Sequence, residues 1–553
     1  MIKVNKLTFI SLFLFSSFCL NSQILDDLTA SFDSYSSYYL DDSKTGDFNF
    51  ENRFRSNNYL NLKSNINYYW SFELQIESYL PKALLNFSPN FKETGISAFN
   101  IRYNKDNLNL ALGNFYEQFG SGMILRSWED KDLGINNSIR GLNAKYTINN
   151  NINLTTLFGN QKKGFEYSKG FIIGFDTEID ISKIFTNDNV FITGFSYVGR
   201  NDKESSSKLY NQMTNLFSSR LDFSSSSFYS SLELIHKSKD PITLFGSLSD
   251  TFIKKGSALL YNAGIIKNGL GFDFTFRRLE NMSIFSEREA YGNIYSESIV
   301  NYLPALTKQH DYSLANLYVY SSQPNVSFQS KNFTKAGEIG VQADLYYFLE
   351  KESFFGGKYG TNIAINGSLW NNLDGDFDFN NQDYNVNLFG FGEKYFSELS
   401  FEIRKKWSPK FDNIFLYVNQ YYNKRLVEET TDEVKTNIFI LESTFKINEN
   451  KSLRLELQHL STKNDMKNWS ALVLEYNLSS AVSLYLSDMY NYQSPKDENR
   501  IHYYNVGGSF NKGVNRYALN YGRQRGGLIC NGGICRYVPE STGFSFTVNT
   551  SFF

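Results

Sequence analysis

The feature that most limits what this chain can fold into is a two-residue alternation that keeps returning along its length. Residues 451–458 set Leu453, Leu455 and Leu457 against Arg454, Glu456 and Gln458. Residues 107–112 do the same with Leu108, Leu110 and Leu112, residues 362–369 with Ile363, Ile365 and Leu369, and residues 399–404 with Leu399, Phe401 and Ile403. Successive side chains of a strand point to opposite faces, so each segment carries one apolar and one polar face. A soluble sandwich shows this pattern in strands of about 5–6 residues. Here most segments run to about 9–13 residues, the length a tilted strand needs to cross a bilayer. They continue from 27–40 to 543–553 without a domain break.

About 24 such segments can be counted, within a range of about 18–26, and single-chain bacterial barrels favour even numbers. Tight turns rich in Asn, Gly and Asp fall at 104–107, 149–151, 448–451 and 511–514. Longer links fall at 116–138, 280–336 and 372–395. Short turns on one rim and long loops on the other is the plan of an outer-membrane barrel. The expected fold is therefore all-β: a single large antiparallel transmembrane β-barrel over residues 23–553.

This plan accounts for a composition that is otherwise hard to place. The 553 residues are 17% aromatic, yet only 41% are hydrophobic, and mean hydropathy is −0.39. Soluble proteins of this length divide into several domains joined by Pro- or Gly-marked linkers, but the whole chain has 8 Pro. A net charge of −2 lacks the basic excess of a nucleic-acid binder. A helical membrane protein needs several apolar runs of about 20 residues; the one long run is Leu7 to Leu20. Barrel strands average a lipid face with a lumenal face, and interior Pro would break their ladders. Tyr417, Tyr421 and Tyr422, with Tyr68, Tyr69 and Trp70, are candidates for the interfacial aromatic girdles.

Lys3, Lys6 and the apolar run that follows read as a secretory signal peptide over 1–22. Two competing readings are a lipoprotein modified at Cys19 and an N-terminal membrane anchor. In an exported chain, Cys530 and Cys535 are placed to close a small disulfide loop. Metal binding is the rival, but two thiolates without a nearby His do not complete a zinc site. The last strand sets Phe544, Phe546, Val548 and Phe552 against polar residues and ends on Phe553. Phe552 and Phe553 resemble the recognition signal of the barrel-assembly machinery, although Phe553 falls on the opposite parity. Strand alternation begins soon after the signal, which argues against a TonB-dependent receptor with a folded N-terminal plug.

The segment Gly113 to Gly141 departs most from alternation and concentrates Arg126, Glu129, Asp130, Lys131, Asp132 and Arg140. It reads either as a loop folded into the lumen, its charges forming a constriction, or as an external loop with a solvated charge cluster. Asn301 to Phe328, with Pro304 and Pro324, reads as an ordered loop, a lid or an interior plug. Catalysis finds little support: the four His stand at 236, 310, 459 and 502, and only His310 has an adjacent carboxylate, Asp311. Asp374, Asp376 and Asp378 imitate the start of a calcium loop, but Phe379 and Asn385 occupy the positions needing Gly and a bidentate acid. No cofactor or metal motif stands in a suitable context, and no enzyme activity is expected.

These two segments, with Arg55 to Leu62, Glu77 to Leu85 and Gly532 to Glu540, carry a resemblance. The chain resembles a family of Bacteroidota outer-membrane β-barrel proteins classified as a domain of unknown function. The likeness spans nearly all of the mature chain and implies an outer-membrane barrel, without substrate, activity or site residues. The leading expectation is a porin-like channel for small hydrophilic solutes in the cell outer membrane, its lumen restricted by inward loops. The alternative is a non-conducting binding or scaffold barrel, an accessory to secretion or surface attachment. Expected partners are outer-membrane lipid, the barrel-assembly machinery and small polar solutes; the sequence does not fix the oligomeric state.

Overall fold

The structure is a computed structural model that describes residues 28–48, 52–182, 189–202, 212–244, 247–290, 293, 295–328, 330, 333–430, 432–531 and 533–552. The expected signal peptide, Cys19 and Phe553 lie outside the described residues. Twenty-four antiparallel strands form one sheet that closes on itself. Closure is made between the first strand, Leu28–Leu40, and the last, Ser541–Phe552, from Ala30 opposite Phe552 to Leu40 opposite Thr542. A further two-residue strand, Glu166–Tyr167, pairs only with the rim end of Ile152–Lys163.

Each of the 24 segments expected from alternation is a barrel strand. Two-residue links join Thr94–Lys105 to Leu108–Phe115, Glu433–Asn448 to Lys451–Ser461 and His502–Lys512 to Asn515–Gln524. These tight links all fall on one rim; residues 79–93, 116–138, 281–336 and 525–540 all fall on the other. The outward face is apolar: Leu142, Phe158, Phe195, Phe217, Leu399 and Leu457 are exposed.

One expected loop is a correction. The link 372–395 is instead the top of a hairpin between Thr361–Asp378 and Asp383–Ser408. Gly375 pairs with Val386 and Phe377 with Tyr384, after register shifts between Trp370 and Gly375. Asp, Asn and Gly residues there look like a loop in sequence, yet the backbone ladder persists through them. The bulges bend the hairpin, and its Leu373, Phe377, Tyr384 and Val386 cover Phe276 and Ile339.

Tyr422 is a second correction. Tyr417 bonds Asn437 on the exposed side, and Tyr68, Tyr69 and Trp70 are exposed at the tight-turn rim. Tyr422 is instead buried among the interior aromatic residues, because Phe396, Tyr318 and the Glu428 carboxylate surround it.

A barrel of this many strands has a lumen too wide for wall side chains to fill. Loops fill it here. One interior cluster joins Phe119, Met123, Ile124 and Leu125 of the 116–138 loop to wall residues Leu157, Ile172, Val198, Leu216 and Ile235. A second joins Tyr312, Leu314, Tyr318 and Tyr320 to Trp370, Leu416, Val418, Ile438, Ile440 and Leu460. A third packs Phe87 and Phe91 onto Tyr59 and Tyr79.

Candidate functional site

The candidate site is this loop-filled part of the lumen. Its centre is the seam between the 116–138 and 281–336 loops. Neither loop forms regular sheet with the wall, so their buried backbone groups need other partners. Some are found across the seam: Arg126 N–H donates to the Val300 carbonyl at 3.0 Å, and Tyr302 N–H to the Gly122 carbonyl at 2.9 Å. Asn301, wholly buried, takes three more. Its Nδ2 donates to the carbonyls of Met123 and Met282, each at 2.9 Å, and its Oδ1 accepts from Ile284 N–H at 3.3 Å. Gln161 on the wall reaches the Ile299 carbonyl at 2.6 Å.

Gly120 lets the 116–138 loop approach the wall. It lies at φ +53°, and a Cβ there would stand 2.5 Å from Arg220 Cδ. Arg220 is held by Asp176 at 2.8 Å, and the neighbouring Glu233 accepts from Ser218 Oγ at 2.7 Å and from Ser121 N–H at 3.2 Å. Farther round, Arg200 and Arg288, the second from the 281–336 loop, converge on Asp240 at 3.0 and 2.8 Å.

The disulfide hairpin completes the filling. Cys530 and Cys535 are bonded. Ala305 N–H donates to the Gly533 carbonyl at 2.9 Å. Arg536 donates to the carbonyls of Tyr295 at 2.6 Å and Asn86 at 3.1 Å, tying three loops together. Burial lowers its guanidinium to about 10.

The six charged residues singled out in sequence do not form one ring. Arg126 lies over the Tyr302 ring at 3.9 Å. Glu129 accepts from Gln75 at 2.8 Å and Asn136 at 3.1 Å, and burial raises its carboxyl above the ordinary value. Asp130 accepts from Leu133 N–H at 2.8 Å, turning the loop on itself. Lys131 donates to Asp33 on the first strand at 2.6 Å. Asp132 is exposed, and partial desolvation raises its carboxyl. Arg140 stands apart: it shares parity with exposed Leu142, opposite buried Ile139, and stacks over Phe99 and Tyr167.

Two cavities open below the loops. One of about 510 Å³ is bounded by Glu129, Tyr116 and Gln75 and runs past Lys63 and Glu73. The other, about 390 Å³, is lined by Lys308, His310, Asp344, Glu402 and Arg404. His310 Nε2 is 2.8 Å from Glu398, whose second oxygen accepts from Gln420 at 2.8 Å. Glu398, Gln420 and Gln458, which accepts from Leu314 N–H at 2.9 Å, anchor the 301–328 loop and were not singled out in sequence. A signal existed: on the parity of Glu456 and Gln458 the next residue is Leu460, an apolar side chain turned inward.

A family model described as a family of unknown function, DUF6029, matches residues 4–552. The chain belongs to DUF6029. No curated protein matches it in sequence. Among solved structures it is similar to the siderophore receptor PirA from Pseudomonas aeruginosa, at 10% identity over 96% of this chain and 81% of that one, TM-score 0.40. It is similar also to the translocation pore of the P pilus usher PapC, at 8% identity over 95% and 99%, TM-score 0.41. OccK1 from Pseudomonas aeruginosa aligns at 9% identity over 96% and 100%, TM-score 0.37. At such identities no substrate or partner passes from these proteins to this DUF6029 member.

Proposed function

We propose that the protein is a porin-like channel of the outer membrane for small hydrophilic solutes, its bore restricted by its own inward loops. The observation that carries this reading is a change in the inner wall along the barrel axis. Under the loops the wall is closed over: Val198, Leu216, Ile438 and Ile440 are fully covered, and the polar side chains between them are buried and paired, as Arg220 is with Asp176 and Arg200 with Asp240. Toward the tight turns it is polar and charged, with Lys63–Glu73 at 3.2 Å, Arg454–Glu442 at 3.0 Å and Arg454–Glu475 at 3.5 Å. Tyr312 of the inward loop reaches Glu442 at 3.4 Å, but Lys63, Glu73 and Glu475 each keep a third or more of the side chain exposed, and exposed charge is hydrated. Both cavities below the loops open among such residues. Lipid covers the outer face, and the amphipathic last strand suits insertion by the barrel-assembly machinery.

Planar-bilayer recording of folded, purified protein tests the proposal. Small, reproducible conductance steps are expected, and their consistent absence would remove the channel reading. The loop packing favours a second reading, a non-conducting barrel serving secretion or surface attachment, because loop contacts reach strands on every side of the lumen. A stoichiometric co-purifying partner together with zero conductance would select it.

A further inference from the structure

We infer that residues 350–360 and the adjoining strand ends form a binding site for anionic phospholipid head groups in the periplasmic leaflet. The inference rests on the outer-membrane reading above, in which the tight-turn rim faces the periplasm. On that rim, where 409–410, 449–450 and 513–514 are two-residue links, the chain between Gly337–Leu349 and Thr361–Asp378 is much longer.

This connection is fastened to the outside of the barrel. Lys405 Nζ donates to the Phe355 carbonyl at 3.1 Å, and Lys405 shares strand parity with exposed Leu399 and Trp407. Phe354 and Phe355 therefore sit beside the apolar belt. They are 93% and 71% exposed, with ring centroids 4.9 Å apart. Phenyl rings left this open at the edge of a lipid-facing wall have the bilayer as their apolar neighbour.

The surrounding charge supplies the head-group chemistry. Lys358 holds Nζ 5.7 Å from the Tyr359 ring and Lys405 holds its own 5.2 Å from Trp407, while Lys406, at the strand end on the parity of lumenal Glu402 and Arg404, reaches the same Tyr359 ring at 5.7 Å. Aromatic rings fit the head-group boundary, and lysine stems reach past them to phosphate level. Among the described residues no carboxylate lies within ion-pair distance of Lys358, Lys405 or Lys406, whereas lumenal Lys131, Lys162 and Lys163 are each paired. Lys351 and Lys410 add to the same basic sector, against Glu350, Glu352 and Asp412, the last opposite Lys406 in the ladder. Ammonium groups beside interfacial aromatic rings and without a carboxylate partner match a phosphodiester that carries net negative charge better than a zwitterionic one.

The test uses the full chain folded into vesicles containing acyl-brominated phosphatidylglycerol or acyl-brominated phosphatidylethanolamine at equal mole fraction. Subtracting the fluorescence of Trp407→Phe isolates the Trp407 signal from the other tryptophans. At least twofold stronger quenching of Trp407 by the brominated phosphatidylglycerol is expected, falling to equality in Lys358→Gln/Lys405→Gln/Lys406→Gln. Equal quenching in the wild type, or a preference unchanged in the triple variant, would overturn the site; a surface made for a periplasmic protein gives that result. Heat-modifiable migration reports insertion separately, so a chain that fails to insert with either lipid defeats the outer-membrane reading and the site with it.

Discussion

Asn301 shows how a single side chain can hold two loops inside a barrel. Its amide satisfies two carbonyls and one N–H that would otherwise be buried without partners, one on Met123 and two on the stretch around Met282. Removing it leaves those groups desolvated, a cost of about 2–3 kcal/mol. Asn301→Ala is therefore expected to speed amide exchange in residues 116–138 and 281–303 while heat-modifiable migration stays as in wild type, since no barrel ladder includes Asn301. Unchanged exchange would show that the seam does not depend on it. Glu129 makes the same loop pH-sensitive. Burial raises its carboxyl, so the docked loop prefers the protonated form. That contribution is complete below the ordinary carboxylate range and is lost as pH rises through the raised value. Desolvation pushes Asp132 in the same direction. Acidification from neutral pH to about pH 4 is thus expected to raise the protection of amides in residues 116–138, measured against their intrinsic exchange rate at each pH, and to lower conductance. Glu129→Gln should weaken both responses; protection that falls on acidification would contradict the assigned sign.

The elements divide into those written locally and those written at a distance. Alternation is a property of neighbours, so Lys451–Ser461 or Ser541–Phe552 can be read from a few residues alone. The hairpin of Thr361–Asp378 and Asp383–Ser408 could not, because Gly375, Asp376 and Asn385 resemble turn residues while their backbones remain paired. The contacts that stabilise this extension come from Phe276 and Ile339, far along the chain. Loop docking was obscured for the same reason. That residues 116–138 and 301–328 were unusual was visible; which wall residues receive them depends on Leu416, Val418 and Ile438 turning inward, where polar residues were expected. Phe377→Ser with Val386→Ser removes apolar cover from the bent hairpin, at about 1.5–3 kcal/mol per fully buried side chain and less for these half-buried ones. Faster proteolysis at 379–382 is expected, with the barrel still folded. Loss of the folded barrel would mean that the extension is part of the closed sheet's stability and not an appendage.

At the scale of the whole molecule, closure and obstruction are separate pieces of physics. Pairing of Leu28–Leu40 with Ser541–Phe552 satisfies both sheet edges, which a membrane-spanning sheet requires. None of the 24-strand ladder uses residues 301–328, so the barrel should close without them. Those residues instead cover the inward Leu416, Val418, Ile438, Ile440 and Leu460. Replacing 306–321 with a short Gly/Ser linker would uncover these side chains to water, at roughly 25 cal/mol per Å² of apolar surface, and would widen the bore. The barrel can bear that cost because its strand pairing and lipid-facing surface are untouched. Heat-modifiable migration should therefore survive, while single-channel conductance rises several-fold and larger poly(ethylene glycol) molecules gain access. A variant that folds but conducts no better than wild type would place the obstruction at the 116–138 seam and the hairpin held by Arg536. Asn301→Ala, which loosens that seam alone, would then be the variant whose conductance rises.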